Sequence, residues 1–346
     1  MKIGIIAHNA HPIREPFEGG LEMLTHLLIN ELYDRGHHVT TLCVKDSEVK
    51  GSMVFYKDSD FMVESSDLKD FSQFYGSMVN FLKNDFDIIH NHSLSHHAIS
   101  MGAITTIPFI TTFHTPIFDN INVSIEAVSK NPNQRFTAVS NSLRDLYLKH
   151  LDKVETVYNG IDLSKWQMSE IKLDYFSWCG RICKEKGLKE IIDLCEDHAV
   201  NIKFAGPISD LEYFEDHILP RIKSYKYCEY IGHLKQDLVN GFISRSKAFL
   251  FTSIWEEPYG LVIAEALASG SPVIANNVGA ANEILSKHSG VLFNLSDTES
   301  FKSALLDLDY LSSADCRLRA EKFCSHMIMV DNYERLYREI LNVEIK

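Results

Sequence analysis

No stretch of 18 or more apolar residues occurs in the 346-residue sequence, so no segment reads as a membrane-spanning helix. Paired cysteine motifs are also missing. Seven cysteines stand at positions 43, 179, 183, 195, 228, 316 and 324, scattered and odd in number, with no CxxC pair. Reduced thiols packed as small hydrophobes are expected, rather than a disulfide framework or a zinc ribbon. Positive charge is in deficit: 34 Lys and Arg stand against 47 Asp and Glu, a formal net charge of −13. That balance argues against a dedicated nucleic-acid binder, which needs a basic footprint for phosphate backbones. A local basic pocket for a small phosphate ligand remains compatible with it. The sequence has no short-period repeat and no low-complexity tract. Its opening carries one lysine and only a short apolar run, residues 3–7, which reads as a strand and not as a signal-peptide core. A soluble, cytoplasmic protein with no transmembrane segment is expected, and a peripheral place on a membrane is left open. No strongly basic amphipathic helix stands out to favour or exclude a lipid surface.

What is present is an ordinary globular mixture, 45% hydrophobic and 23% charged. The length suits two domains of roughly 150–180 residues each. Short apolar runs alternate with helical stripes along both halves. Residues 2–7 read as a buried parallel strand. Leu21, Leu24, Leu28 and Leu32 form a helical stripe closed by Gly36, and residues 39–44 read as the next strand. Strands at 86–90, 108–113, 135–139 and 154–158 alternate with helices at 93–104 and 142–151. Residues 159–171 read as a linker. The alternation then restarts, with strands at 175–179, 202–205, 228–231, 248–252 and 272–275, and helices at 187–195, 211–222, 238–243 and 261–268. Residues 298–341 read as almost wholly helical. Two successive βα series imply an α/β protein of two Rossmann-like, doubly wound domains. Ligands in such sheets sit beyond the strand C-termini, and the natural place for an active site is a cleft between the domains.

The most informative stretch runs Trp255-Glu256-Glu257-Pro258-Tyr259-Gly260-Leu261-Val262-Ile263-Ala264-Glu265-Ala266-Leu267-Ala268-Ser269-Gly270-Ser271-Pro272-Val273. A strand ends near Thr252 and a loop stiffened by Pro258 holds Glu257. Gly260 permits close approach of a ligand to the backbone, and a helix begins at once. Its first amides are unpaired and carry partial positive charge, which suits a diphosphate. Glu265, about one and a half turns in, can accept hydrogen bonds from two vicinal hydroxyls, as on a ribose. Glu257 at the loop tip can do the same for a hexose. A second stretch, Gly180-Arg181-Ile182-Cys183-Lys184-Glu185-Lys186-Gly187, offers an Arg fork and a Lys point charge of the kind that phosphoryl oxygens need.

The first string resembles the Glu-x7-Glu signature of the family-4, group 1 glycosyltransferases of retaining GT-B type, including the Pro-aromatic-Gly after the first Glu and the Ala-Ser-Gly-x-Pro-Val that follows. The second resembles the Gly-Arg-x4-Lys-Gly loop of the same family. Weaker likenesses extend over nearly the whole chain. Gly19-Gly20 resembles the glycine pair opening the first helix, and Thr112-Phe113-His114 the strand-end histidine that approaches the transferred sugar. Ser140 matches another family position and is equally a helix cap. Val157-Tyr158-Asn159-Gly160-Ile161-Asp162 resembles the interdomain segment. Residues 277–283 match a loop that often reads Val-Gly-Gly-x-x-Glu, with Ala280 in place of the second glycine.

The resemblance implies a GT-B fold, two Rossmann-like domains facing a central cleft. Residues 1–157 would form the acceptor-side domain and 158–324 the donor-binding domain, with a C-terminal helix at about 325–346 packing back on the first. It implies a retaining hexosyltransferase that moves a sugar from a nucleotide sugar to an acceptor hydroxyl. A UDP-sugar is the expected donor and a GDP-sugar the other choice. The acceptor, whether saccharide, lipid-linked or small molecule, is unassigned. Glu257, His114, Arg181 and Lys186 are the expected catalytic residues. Donor contacts are expected at Gly19, Gly20, Arg181, Lys186, Gly206, Ile231, Glu257, Tyr259, Gly260, Leu261, Val262 and Glu265. Neither a metal nor a resident cofactor is expected, because Arg181, Lys186 and a helix N-terminus would neutralise the diphosphate. The rival readings are a GT-B nucleotide-sugar 2-epimerase and a non-catalytic nucleotide-sugar-binding protein. Two further patterns count as decoys. Asp58-Ser59-Asp60 has the Asp-x-Asp form of metal-dependent GT-A enzymes without its context. His90, His92, His96 and His97 cluster without a zinc-ligand pattern.

Overall fold

A computed structural model describes residues 1–56 and 68–343 of the chain. The Asp58-Ser59-Asp60 triplet lies outside the described residues. The chain divides into two compact units, one of residues 1–159 joined by the segment from His326 onward, the other Gly160–Ser325. The division falls two residues beyond the 157/158 boundary read from the sequence.

The first unit holds strands β1 (Lys2–Ile6), β2 (His38–Cys43), β3 (Ser52–Phe55), β4 (Ile88–Asn91), β5 (Phe109–Phe113), β6 (Gln134–Ala138) and β7 (Glu155–Thr156). They pair in the order β3-β2-β1-β4-β5-β6-β7, and every pairing is parallel. Strands buried on both faces should read as unbroken apolar runs. β1 does so, with Ile3, Ile5 and Ile6 fully buried. The C-terminal helix, His326–Leu341, docks on the helix Gly20–Asp34 through charge as well as packing. Arg35 donates to Asp331 and Glu334 at 2.6 Å each, and His37 Nε2 lies 2.6 Å from the other oxygen of Glu334. Although burial opposes ionisation, His37 and Arg35 hold the Glu334 carboxyl below its ordinary pKa.

The second unit holds β8 (Phe176–Cys179), β9 (Ile202–Ala205), β10 (Cys228–Gly232), β11 (Phe249–Phe251), β12 (Val273–Asn276) and β13 (Gly290–Phe293). The order is β10-β9-β8-β11-β12-β13, again parallel throughout. Its core gathers Trp178, Ile191, Ile192, Phe204, Ile218 and Phe301 from strands and covering helices. The segment read as a linker is instead a docked arm of this unit. The Ile161 amide donates to the Cys324 carbonyl at 2.8 Å, Arg317 donates to the Trp166 carbonyl at 2.7 Å, and Trp166 is buried.

Among the elements that escaped the sequence reading are β3, the helices Leu68–Phe81, Asp119–Val128 and Ala281–Ile284, and β13. β3 carries a short apolar run, Met53-Val54-Phe55, but lies at a sheet edge with mostly exposed residues. Asp119–Val128 is rich in Asn, Val and Ile, which are weak helix formers. Even so, Ile121, Ile125 and Val128 are buried at i, i+4, i+7 spacing.

Candidate functional site

In the second sheet β9 and β10 lie on one side of β8, and β11, β12 and β13 on the other. Strand order therefore reverses between β8 and β11, and in a doubly wound sheet the ligand crevice opens beyond the strand C-termini at that point. The two loops leaving it are residues 180–187 and 252–260, the segments that carry the charged motifs.

The loops are zipped together by hydrogen bonds. Thr252 Oγ1 donates to the Lys186 carbonyl at 2.7 Å and accepts from Trp178 Nε1 at 2.9 Å. The Ile254 amide donates to the Glu185 carbonyl at 2.9 Å. Gly187 has φ +66°, and a Cβ there would stand 2.1 Å from the Thr252 carbonyl oxygen. Only glycine allows this approach.

Within this frame Lys186 Nζ lies 2.6 Å from Glu257 Oε2, with the two side chains 19% and 17% exposed. The same oxygen accepts from Trp255 Nε1 at 2.9 Å and Ser253 Oγ at 3.1 Å. Glu257 Oε1 has no hydrogen-bond partner among the described residues. Arg181 is 58% exposed and makes only a 3.5 Å ion pair with Glu185. Both cations also act on the Cys183 thiol, tempering a pKa that burial pushes up to about 11. The structure thus brings Arg181, Lys186 and Glu257 to one end of the sheet.

Gly260, at φ +89°, is the N-cap of the helix Leu261–Ala268. Left-handed backbone there lets the chain turn straight from loop into helix. The amides of Leu261 and Val262 have no acceptor among the described residues. One turn on, Glu265 is partly buried. Desolvation pushes its carboxyl up to about 7, and no donor among the described residues reaches it. Its charge adds to the burial that pushes the thiol of Cys179, the last residue of β8, up to about 12. The carboxyl therefore lies at the switch point.

Two family models match the chain in succession: Glycosyltransferase Family 4 over residues 18–165, and Glycosyl transferases group 1 over residues 170–317. The chain belongs to the family-4, group 1 glycosyltransferases. A glycosyltransferase of Methanocaldococcus jannaschii is 24% identical over 238 residues, 59% of this chain and 60% of that protein. The chain thus spans less than two thirds of the length of this curated relative. Among solved structures, sucrose-phosphate synthase from Thermosynechococcus elongatus superposes with a TM-score of 0.81 at 15% identity, covering 99% of each chain. The Anabaena protein HepE in complex with UDP-glucose gives 0.75 at 15% identity, covering 98% of this chain and 100% of that one. The fold is GT-B, built from two Rossmann-like units.

Other residues of this chain take more structural parts. Gly206, just after β9, has φ +148°, and a Cβ would meet the Gly180 carbonyl oxygen at 1.8 Å. Its carbonyl accepts from Tyr230 at 2.8 Å. Ile231 is half-buried in β10. Tyr259 is 2% exposed, with its side chain in the interior beside Cys324. Gly279 is a residue that sequence reasoning did not assign to the site. At φ +53° it packs on Glu257, where a Cβ would lie 2.2 Å from the carbonyl oxygen. Its amide donates to Glu256 at 2.8 Å, and the Ala280 amide to the Glu257 carbonyl at 3.1 Å. Ala280 has φ −84°, so this position does not need a glycine.

In the first unit, Gly19 is the extended N-cap of the helix that Gly20 begins. His114 follows β5 directly. Ser140 accepts from the Leu143 amide at 3.1 Å and is a helix cap. His92 Nδ1 stands 3.1 Å from His114 Nε2, and His92 Nε2 stands 3.1 Å from His90 Nδ1. Desolvation holds all three rings below the ordinary histidine pKa, His114 at about 3. Among the described residues no group of His, Cys, Asp or Glu has metal-binding geometry.

Proposed function

We propose that this glycosyltransferase moves a hexosyl group from a nucleotide sugar to an acceptor hydroxyl, with retention at the anomeric carbon and without a metal. In this reading the unit Gly160–Ser325 binds the donor and the first unit presents the acceptor. The observation that carries it is the carboxyl of Glu265: half-buried, without a donor, and held near neutrality at the switch point of the second sheet. A vicinal diol supplies two O–H donors to such a group, and a ribose is one. The pyrophosphate next to that ribose would meet the Leu261 and Val262 amides, Arg181 and Lys186. Glu257 Oε1 would accept from a sugar hydroxyl, while Lys186, Trp255 and Ser253 fix the other oxygen. HepE is seen with UDP-glucose, which favours a uridine donor.

In the proposed reaction the bond from the anomeric carbon to the diphosphate oxygen breaks as the bond to the acceptor oxygen forms on the same face. The acceptor proton passes to the departing diphosphate. Cations and oriented amides stabilise the charge gathering there, and no side chain need act as nucleophile. The test is incubation with labelled UDP- and GDP-sugars, scoring release of nucleoside diphosphate with and without EDTA. Slow release that EDTA leaves unchanged supports the reading. Binding without release would leave a sensor, and a 2-epimer product an epimerase; either result refutes it.

A further inference from the structure

The first unit contains a polar chain that joins two of its motifs to its last helix. His114 contacts His92, and His92 contacts His90, at the distances given above. His90 Nε2 lies 2.7 Å from Thr112 Oγ1, and His90 Nδ1 lies 2.6 Å from the hydroxyl of Tyr337. Thr112 Oγ1 lies 2.6 Å from Thr137 Oγ1 and 3.2 Å from the hydroxyl of Tyr333. His90, His92, Thr112, Thr137, Tyr333 and Tyr337 are each at most 3% exposed. Of the residues in this network only His114 is partly open. The rings are held neutral, so each has one N–H and one bare nitrogen. Which is which follows from the network.

Tyr337 decides it. Its hydroxyl is fully buried, and the only hydrogen-bond partner recorded for it among the described residues is His90 Nδ1. If the phenol only accepted, its own hydrogen would be stranded in the interior, a costly arrangement. The O–H must therefore donate, and His90 Nδ1 is bare. His90 then carries its hydrogen on Nε2 and donates to Thr112, which can pass its own hydrogen to Thr137. His92 Nε2 also faces the bare His90 Nδ1, and two lone pairs cannot meet at 3.1 Å without repulsion. His92 therefore carries its hydrogen on Nε2, which shares the one lone pair of His90 Nδ1 with the Tyr337 hydroxyl as the longer arm of a bifurcated contact, and its Nδ1 is bare. By the same reasoning His114 must carry its hydrogen on Nε2 and donate to His92.

We propose that Tyr337, acting through His90 and His92, is a positioning residue that locks His114 in the Nε2–H tautomer and leaves its Nδ1 as a hydrogen-bond acceptor. The helix His326–Leu341, more than 200 residues distant in sequence, thereby sets which polarity His114 offers. The catalytic consequence rests on the proposed transferase reading together with the family resemblance, which expects the strand-end histidine to approach the transferred sugar: a bare Nδ1 accepts from a sugar hydroxyl, whereas an Nδ1–H would face that hydroxyl as a competing donor.

The test is long-range ¹H–¹⁵N correlation of the histidine rings in the ¹⁵N-labelled full chain without ligand, which reads each tautomer directly. The wild-type protein should show His114 as Nε2–H. Tyr337→Phe keeps the ring and removes the hydroxyl, and should shift the His114 tautomer ratio by about tenfold or more. A wild-type His114 in the Nδ1–H form overturns the proposal without any variant. So does an unchanged His114 signal in folded Tyr337→Phe. Kinetics form a separate arm. With the tautomer moved, the transferase reading expects kcat to fall by about tenfold while KM for the donor holds. An unchanged kcat would count against the role of His114 in transfer and leave the tautomer relay standing.

Discussion

Replacing Lys186 with alanine should damage both stability and turnover, and the geometry sets the size of each effect. Lys186 and Glu257 are about four-fifths buried. Breaking a fully buried pair costs about 3–5 kcal/mol, and an exposed one about 0–1 kcal/mol. This pair lies between those limits. After the change Glu257 Oε2 keeps Trp255 and Ser253 as donors, so its charge is not left bare. A loss of about 2 kcal/mol follows. For a unit of this size that corresponds to a fall in melting temperature of about 4–8 °C. Turnover should fall on the order of 100-fold or more, because a cation that stabilises the leaving diphosphate is gone. Arg181→Ala is the control. At 58% exposure, with a 3.5 Å pair to Glu185, its loss should cost under about 0.5 kcal/mol, yet reduce turnover by a similar factor. Thermal unfolding followed by circular dichroism gives the first quantity, and nucleotide release the second. An unchanged melting temperature in Lys186→Ala would refute the ion-pair argument. Near-wild-type rates in both variants would refute the charge argument.

Three further outcomes follow from named residues. Glu265, with its carboxyl near 7 in the free protein, must lose a proton before both its oxygens can accept from a diol. Nucleoside diphosphate affinity should therefore drop about fivefold between pH 7 and pH 6 through this group, and Glu265→Gln should remove that share; calorimetric titration at both pH values decides. His90 and His92 stay neutral when folded but take up protons when unfolded below pH 6.5, so stability is lost as pH falls through that value. The slope is about 1.4 kcal/mol per pH unit for each ring, and urea melts at pH 7, 6 and 5 that coincide would contradict it. Gly187→Ala forces a Cβ to 2.1 Å from a backbone oxygen, whereas a Cβ on Gly232, at φ +90°, meets nothing within 4 Å. The first should destabilise by about 3 kcal/mol or more and the second by about 1–2 kcal/mol, measured by urea denaturation.

Much of the fold was legible because parallel strands buried on both faces leave unbroken apolar runs, as at β1 and β12. The Glu257–Glu265 string was legible because loop, cap and helix are contiguous. What lay hidden was long-range. Lys186 and Glu257 are 71 positions apart, and nothing local shows that the lysine bonds the glutamate as well as standing ready for a phosphate. Tyr259 lies in the interior beside Cys324, far along the sequence, and the need for glycine at 279 depends on the Glu257 carbonyl. The histidine chain is the clearest case. His90 and Tyr337 are separated by 247 positions. Read alone, the cluster at 90–97 suggests a metal site to be discarded, not a hydrogen-bonded path.

The most direct test of the account is calorimetric titration of the wild-type chain with UDP and GDP, repeated with Arg181→Ala, Lys186→Ala and Glu265→Ala. Saturable binding of one nucleotide per chain, weakened at least about tenfold by each substitution, is the predicted result. Affinity that none of the three substitutions changes, or no binding of either nucleotide, would contradict the placement of the donor site at the β8–β11 switch point.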